Sequence, residues 1–113
     1  MSERFSPHLW VSPTKEGAVV VRLVDCPVLD ELTSPAVGEE LLRLADGREG
    51  AAFRLDMGAV DFLTSTMLGT LVSLHKKLRA GGGSLSLYDV SSDVFEVFET
   101  ARLDQLFEVR PKG

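Results

Sequence analysis

The sequence predicts a single α/β domain with a mixed, mostly parallel sheet, an antiparallel hairpin at its N-terminus and three or four helices. Apolar, β-branched segments alternate with segments whose apolar residues recur at helical spacing, which implies parallel strands joined by helical crossovers. The first two predicted strands are separated by only a short turn, which favours an antiparallel pair. The 113 residues, 44% of them hydrophobic, are enough for one core.

The N-terminal part of the chain contains the predicted hairpin. Residues 1–8 are polar and include a proline, so we expect a loose segment, followed by a domain over residues 9–110. Leu9–Val11 is a short predicted strand that leads into a turn-rich stretch. Ala18–Val24 is almost entirely aliphatic, which predicts a strand buried on both faces.

The first predicted helix begins at Ser34 and Pro35. The Ser34 hydroxyl is suited to capping the free N–H groups, and the missing N–H of Pro35 costs nothing in the first turn. The apolar face of this helix consists of Val37, Leu41 and Leu44. Asp46-Gly47 predicts its end, and the next strand is predicted over Ala51–Met57.

The second predicted helix runs from Thr64 to about Ala80 and ends in three glycines. Its apolar face consists of Met67, Leu71, Leu74 and Leu78. The alternating residues Ser84–Tyr88 predict a half-buried strand, and Ser91 or Ser92 is expected to cap a third helix. Residues 106–109 are expected to dock as a final short element.

Composition and charge argue against several classes of function. With 12 Lys and Arg against 17 Asp and Glu, the net charge of −5 gives no reason to expect direct binding of nucleic acid. No apolar run approaches the roughly 20 residues of a membrane span, and no signal peptide is visible, so we expect a cytoplasmic protein without membrane insertion. One cysteine and two distant histidines make a disulfide or a metal site unexpected.

Enzyme signatures are missing from the sequence. The glycines at 81–83 follow a helix, whereas a phosphate-binding loop precedes one, so they are interpreted as a helix end and a flexible turn. His75 is interpreted as a solvated or rim histidine, Cys26 as a buried, inert thiol and Trp10 as edge packing. We therefore predict a protein that is not an enzyme and needs no cofactor.

Three consecutive hydroxyl residues, Thr64-Ser65-Thr66, stand where a loop gives way to the second helix. They are open to two interpretations. In the first, Thr64 or Ser65 caps the helix and the other hydroxyls have no role. In the second, one of them is phosphorylated: a phosphate would be compatible with the helix N-terminus, yet it would add nearly two negative charges to an acidic surface and disturb a docking face.

From about Ala18 to Val109 the chain resembles STAS domains, the family of bacterial anti-sigma factor antagonists. The central pattern of that family is an acid-containing strand, a Phe-Ile/Leu pair, and Asp-Ser-Ser-Gly-Leu-Gly opening a helix. The corresponding residues here are Leu55-Asp56, Phe62-Leu63 and Thr64–Gly69. Other matching segments are Leu29-Asp30 with Thr33, Leu78–Gly82, Leu85–Leu87, Val97-Phe98 and Leu103–Phe107. Thr64 stands in place of the family's Asp, Met67 in place of a Gly, and Pro27 in place of an upstream Gly.

The resemblance implies a protein-interaction module that binds an anti-sigma factor carrying an ATPase-type serine kinase domain. By position, Ser65 corresponds to the serine that the kinase phosphorylates, with Thr66 and Thr64 as less favoured acceptors. The expected partner-binding residues are Asp30, Thr64, Ser65, Thr66, Met67 and Leu68. We expect a monomer or a weak homodimer.

Two other classes of function remain open from the sequence. One is a small-ligand or nucleotide-binding domain, or even an enzyme, although the lack of a phosphate-binding loop in the right place argues against it. The chain could instead be a STAS regulatory subunit of a lipid ABC transporter or of a multi-protein signalling assembly, without a phosphorylation switch. Met67 also has two interpretations, since it lies on the apolar stripe of the second helix: it is either an extension of the core or a partly exposed apolar contact for the partner.

Overall fold

The structure of the protein is a computed structural model that describes residues 2–14 and 16–112. Its strands are β1 (Glu3–Ser6), β2 (Leu9–Pro13), β3 (Val19–Leu23), β4 (Val28–Leu29), β5 (Ala52–Asp56), β6 (Phe62–Leu63), β7 (Ser84–Val90) and β8 (Glu108–Pro111). Its helices are α1 (Ser34–Ala45), α2 (Ser65–Ala80) and α3 (Ser92–Thr100), followed by a short 3-10 helix at Leu103–Gln105. In the part of the chain so described, no helix is long and apolar enough to cross a membrane.

Six strands form one mixed sheet in the order β1-β2-β3-β5-β7-β8. Strands β1, β2 and β3 pair antiparallel, whereas β3, β5, β7 and β8 pair parallel. The predicted α/β class, the mixed sheet and the antiparallel N-terminal hairpin are therefore confirmed. The remaining strands, β4 and β6, form a separate parallel ladder that the sequence did not predict.

The helices cover only one face of the main sheet. In β3, Val21 and Leu23 are buried in the core cluster, whereas Arg22 between them is exposed. The prediction of a strand buried on both faces is therefore wrong. The same alternation in β5, where Arg54 is exposed between the buried Phe53 and Leu55, shows that the second face of the sheet is open to solvent.

The expectation that residues 1–8 are loose is corrected by β1, which pairs with β2 through Arg4 and Trp10. A buried carboxylate from α1 holds the turn between these strands. Glu40 accepts hydrogen bonds from the Ser6 hydroxyl and from the backbone N–H of His8, the latter at 2.9 Å. The Nδ1 atom of His8 lies 2.7 Å from the other oxygen of the same carboxylate. This partner is 34 residues away from Ser6 in the sequence, so local patterning could not reveal it.

Glu40→Ala is expected to lower the free energy of unfolding by roughly 1.5–3 kcal/mol, because it leaves the Ser6 hydroxyl and the His8 N–H without their charged acceptor. Burial raises the pKa of Glu40, but the hydrogen bonds from Ser6 and His8 outweigh it and hold the pKa below its usual value. The stabilisation is therefore complete above the unfolded carboxyl pKa of about 4.3 and is lost as the pH falls through the lower folded pKa.

Urea denaturation of the wild-type chain and of this variant at several pH values measures both effects. Glu39→Ala is the matched control, since Glu39 is the exposed neighbour on the same helix and its loss should change stability by less than about 0.5 kcal/mol. Equal stability losses for the two variants at neutral pH would contradict the role of Glu40.

Two single residues in the C-terminal half test the sequence interpretation further. Ser91 caps α3 as predicted, since its hydroxyl accepts a hydrogen bond from the N–H of Val94 at 3.3 Å. His75, predicted to be a solvated or rim histidine, is instead buried: the side chain is 8% exposed and its ring centroid lies 5.5 Å from that of Phe107. Its burial, helped by the positive charges of Arg79 and Lys76, lowers its pKa and favours the neutral imidazole.

Cys26 is buried, as predicted. Burial, together with the negative charges of Glu40 and Asp25, raises the pKa of its thiol to about 11. At neutral pH the sulfur is therefore protonated and is a poor nucleophile. This agrees with the interpretation of an inert thiol.

Candidate functional site

The site is built on the short ladder between β4 and β6. Val28 pairs with Phe62, and Leu29 pairs with Leu63. Because successive side chains of a strand point to opposite sides, Leu29 and Leu63 are buried while Val28 and Phe62 lie side by side at the surface. Val28 is 44% exposed and Phe62 is 51% exposed. The ladder thus places two large apolar side chains in solvent next to the start of α2.

Asp30 and Thr64 follow the ladder at the same end. The Thr64 N–H donates to the carbonyl oxygen of Leu29 at 3.0 Å, and the Thr64 hydroxyl donates to the same oxygen at 3.4 Å. These bonds join the segment that carries Asp30 to the N-terminus of α2. The sequence alone placed the two residues in separate motifs, and the structure brings them together.

The Asp30 carboxylate organises the loop that precedes α1. Its Oδ1 atom accepts hydrogen bonds from the N–H groups of Thr33 at 2.9 Å and Leu32 at 3.0 Å. These bonds hold the pKa of Asp30 below its usual value, and the bond from Thr33 has the largest effect. The carboxyl group is therefore ionised at neutral pH. Leu32 projects from this loop with 89% of its surface exposed.

The predicted capping role of Ser34 is wrong, because α1 begins one residue earlier than a Ser34 cap requires. The Ser34 N–H donates to the carbonyl oxygen of Asp30 at 2.8 Å, and the Val37 N–H, which a Ser34 cap would take, donates to the carbonyl oxygen of Thr33 at 3.1 Å. Ser34 becomes the first residue of α1, with Thr33 at the N-cap position. The Ser34 hydroxyl is completely buried and has no hydrogen-bond partner among the described residues.

The hydroxyl run stands at the first turn of α2. Thr64 occupies the N-cap position but its side chain makes no capping hydrogen bond. Ser65 and Thr66 are exposed, and within residues 2–14 and 16–112 the Ser65 hydroxyl has no hydrogen bond. The capping interpretation therefore does not account for this hydroxyl, which is free to react or to contact a partner.

Met67 and Leu68 differ in their surroundings. Met67 is 0% exposed and belongs to the core cluster, so its side chain cannot contact a partner in this structure. Leu68 is half-buried and packs against the edge of the core. Of the two interpretations of Met67, the extension of the core is the one that agrees with the structure, and we leave Met67 out of the proposed contact surface.

The end of the molecule that carries these residues is acidic. Residues 25–34 contain three Asp or Glu, residues 56–71 contain two and residues 89–101 contain four, and none of the three segments contains Lys or Arg. Lys112 reaches this end from the C-terminus and donates to the carbonyl oxygen of Gly58 at 3.3 Å. In the described ranges, no three His, Cys, Asp or Glu side chains are grouped to hold a metal ion.

Sequence reasoning missed the exposed apolar residues Val28, Leu32 and Phe62. A ladder of two residues per strand is too short to show a period, so an apolar pair such as Val28-Leu29 indicates burial but not which member is buried. The preceding Pro27 and Asp61 are turn-forming residues and were the only local signal that these pairs stand at a surface.

Comparison with known proteins assigns the family. The sequence profile of the STAS domain matches residues 10–112. The anti-sigma-B factor antagonist of Listeria monocytogenes is 33% identical over 82 residues, which cover 73% of this chain and 71% of that protein. The anti-sigma-B factor antagonist of Bacillus subtilis is 30% identical over 85 residues, which cover 75% of this chain and 76% of that protein.

A solved structure shows the same fold. The anti-sigma-factor antagonist (STAS) domain protein from Planctomyces limnophilus matches with a TM-score of 0.82 at 19% identity, over 93% of this chain and 91% of that chain. Since the profile spans nearly the whole sequence and both relatives align over most of their own length, the chain belongs to the STAS domain family.

Proposed function

We propose that the chain is an anti-sigma factor antagonist that binds an anti-sigma factor and so releases the sigma factor. Its relatives from Listeria and Bacillus carry that name, and the site has the form of a docking surface. The residues that we call the docking surface are the half-buried Asp30 and the exposed Val28, Leu32, Phe62, Ser65 and Thr66. The chain acts in this proposal by binding and not by catalysis.

One observation supports this proposal more than the others: a free, exposed serine hydroxyl stands beside exposed apolar side chains. Exposed large apolar residues that are grouped together mark an interaction site. Burying Val28, Leu32 and Phe62 against a partner would supply affinity, at about 25 cal/mol for each Å² removed from water. In this proposal the Ser65 hydroxyl lies within the docking surface, where an added charge would have to be desolvated when the partner binds.

The proposed switch is phosphorylation of Ser65 by an ATPase-type serine kinase domain of the partner. The Ser65 oxygen forms a bond to the terminal phosphorus of ATP, the bond from that phosphorus to the bridging oxygen breaks, ADP leaves, and the hydroxyl proton passes to a base of the kinase. Thr66 is the second candidate acceptor. Thr64 is the weakest candidate, because its hydroxyl is half-buried and donates to Leu29.

Phosphorylation would weaken binding while preserving the fold. A phosphate at the first turn of α2 meets free N–H groups and the positive end of the helix dipole, so the helix tolerates it. Docking, however, would require nearly two added negative charges to be desolvated beside Asp30 and Phe62. A coupling of about 1–3 kcal/mol, or roughly 5–150-fold in affinity, is enough for a switch.

Ser65→Glu is expected to weaken binding to the purified anti-sigma factor within that range, whereas Ser65→Ala retains binding and neither variant changes the melting temperature appreciably. The partner is first recovered from native lysate with the tagged chain and identified by mass spectrometry. Affinities are then measured by titration calorimetry, and incubation with ATP followed by peptide mapping shows which hydroxyl is modified.

Ser73→Glu is the matched control, because Ser73 is an exposed serine on the same helix but outside the docking surface. It adds the same charge and should leave the affinity nearly unchanged. Equal affinities for the Ser65 and Ser73 variants would refute the switch. Failure of the unmodified chain to bind any anti-sigma factor would refute the proposed function itself.

A further inference from the structure

A groove of about 320 Å³ lies between α2 and α3, next to the docking surface. The apolar residues that line it are Leu68 of α2, Val97 of α3 and Ala101, which directly follows α3. The polar residues that line it are Asp93, Glu96 and Thr100. The groove is therefore an apolar strip whose lining also includes two carboxylates.

The residues that α3 contributes to this groove form a second face of that helix. Asp93, Glu96, Val97, Thr100 and Ala101 stand at positions i, i+3, i+4, i+7 and i+8, a pattern that lies on one side of a helix. The core-facing side of α3 carries Val94 and Phe98 instead. The groove face lies beside the core: Leu68 and Val97 pack against the core but are only half-buried, so part of each side chain is available to a partner.

The groove continues the docking surface along the acidic end of the molecule. Leu68 stands three residues after Ser65, one turn further along α2, and α3 also packs beside β6, which carries Phe62. The segment from Asp89 to Ala101 contains four acidic residues and no Lys or Arg. These carboxylates therefore favour a positively charged segment over the groove, and the nearest basic residue in the sequence, Arg102, follows the last residue of its lining.

The size of the groove also limits what can occupy it. Its volume is at the lower end of the roughly 300–1,000 Å³ of pockets that enclose small molecules, and it is open to solvent along the helices. Side chains spaced along a helix match such a strip better than a compact ligand does, because apolar anchors on one helix face insert into a groove between two others.

We propose that this groove binds a basic amphipathic helix of the anti-sigma factor. Aliphatic side chains of that helix lie on Leu68, Val97 and Ala101, while its Lys or Arg side chains pair with Asp93 and Glu96. The identity of the partner rests on the proposed function, but the chemistry of the occupant follows from the groove alone. The groove adds a contact that does not involve the Ser65 hydroxyl.

The test measures binding of the full chain to a fluorescein-labelled helical peptide of about 18 residues. The peptide carries Leu on one face and Lys next to that face. Binding is followed by anisotropy at low and high salt. Glu96→Lys is expected to weaken peptide binding roughly threefold to thirtyfold at low salt and less at high salt, since a favourable charge pair becomes a repulsive one. Ala101→Leu, which adds bulk to the lining of the groove from an exposed position without changing the charge, should also weaken binding.

Glu99→Lys is the matched control, because Glu99 is exposed on the same helix but does not line the groove. It makes the same charge change and should have a clearly smaller effect than Glu96→Lys. Any one of three results would overturn the inference. They are equal effects of the two lysine variants, no effect of Ala101→Leu, and equal binding of a peptide with Glu in place of Lys. Circular dichroism confirms that every variant is folded.

The same variants separate the groove from the proposed function. In titrations with the purified anti-sigma factor, Glu96→Lys and Ala101→Leu should weaken binding by similar factors in the wild-type and Ser65→Glu backgrounds. If the factor binds all groove variants as it binds the wild-type chain, the groove inference is wrong and the proposed function stands. If no anti-sigma factor binds while the peptide results hold, the proposed function fails and the groove remains a site for a basic helix.

Discussion

Met67→Ala is expected to lower the free energy of unfolding by roughly 2–5 kcal/mol, the range for a fully buried Met reduced to Ala. Met67 is completely buried in the core cluster, at the first turn of α2. The neighbouring side chains cannot close the space that is left, because α2 is held in place by Leu71, Leu74 and Leu78 further along the same face. Such a loss is a large part of the about 5–15 kcal/mol that stabilises a typical domain.

Urea denaturation followed by circular dichroism measures this loss. Thr66→Ala is the matched control, since Thr66 is the exposed neighbour of Met67 and its loss should change stability by less than about 0.5 kcal/mol. The folded fraction of Met67→Ala should bind the anti-sigma factor as the wild-type chain does. Unchanged stability together with reduced affinity would show instead that Met67 is a partner contact.

Gly83→Ala is expected to destabilise the fold by about 1–3 kcal/mol or more, because the added methyl group has no room. A Cβ atom at residue 83 would lie 2.2 Å from the carbonyl oxygen of Ala51 and 2.6 Å from that of Glu49. Both are backbone atoms, which cannot rotate away as a side chain can. Relief would require the turn before β5 to move away from the start of β7, and these two strands pair directly.

Gly69→Ala is the matched control for this prediction. Gly69 is an exposed residue inside α2, and a Cβ atom there would have no neighbour within 4 Å. The variant should stabilise the helix by about 0.5–1 kcal/mol, since alanine is the better helix former. Thermal melts of both variants thus give shifts of opposite sign, and a neutral or stabilising effect of Gly83→Ala would contradict the close backbone approach.

The three glycines at residues 81–83 also show which structural properties can be predicted from the sequence and which cannot. Three consecutive glycines after a helix predicted the end of α2 correctly, since the N–H of Gly83 donates to the carbonyl oxygen of Leu78. The same glycines were interpreted as a flexible turn, whereas Gly81 and Gly83 lie against the backbone of residues 49–51. The first property depends on neighbours in the sequence, and the second depends on a segment about 30 residues away.

The sequence by itself determined the elements whose signals repeat over many residues. Helices α1, α2 and α3, strands β2, β3, β5 and β7, and their order could be predicted because apolar residues recur with a period over at least one strand or several helical turns. The position of Ser65 at the start of α2 followed from the same pattern. Local chemistry was enough for these features, because each is stabilised by residues close together in the chain.

Only the tertiary structure decided which of these residues face solvent at the site. Strand β1 depends on Glu40, and the β4–β6 ladder joins residues 34 apart, so neither leaves a local pattern. The ladder determines that Phe62 is exposed and Leu63 buried, and the packing of α2 determines that Met67 is buried while Ser65 is free. The physical reason is that burial is a property of the assembled core: a side chain is covered by residues that are distant in sequence, and their placement follows from the whole fold.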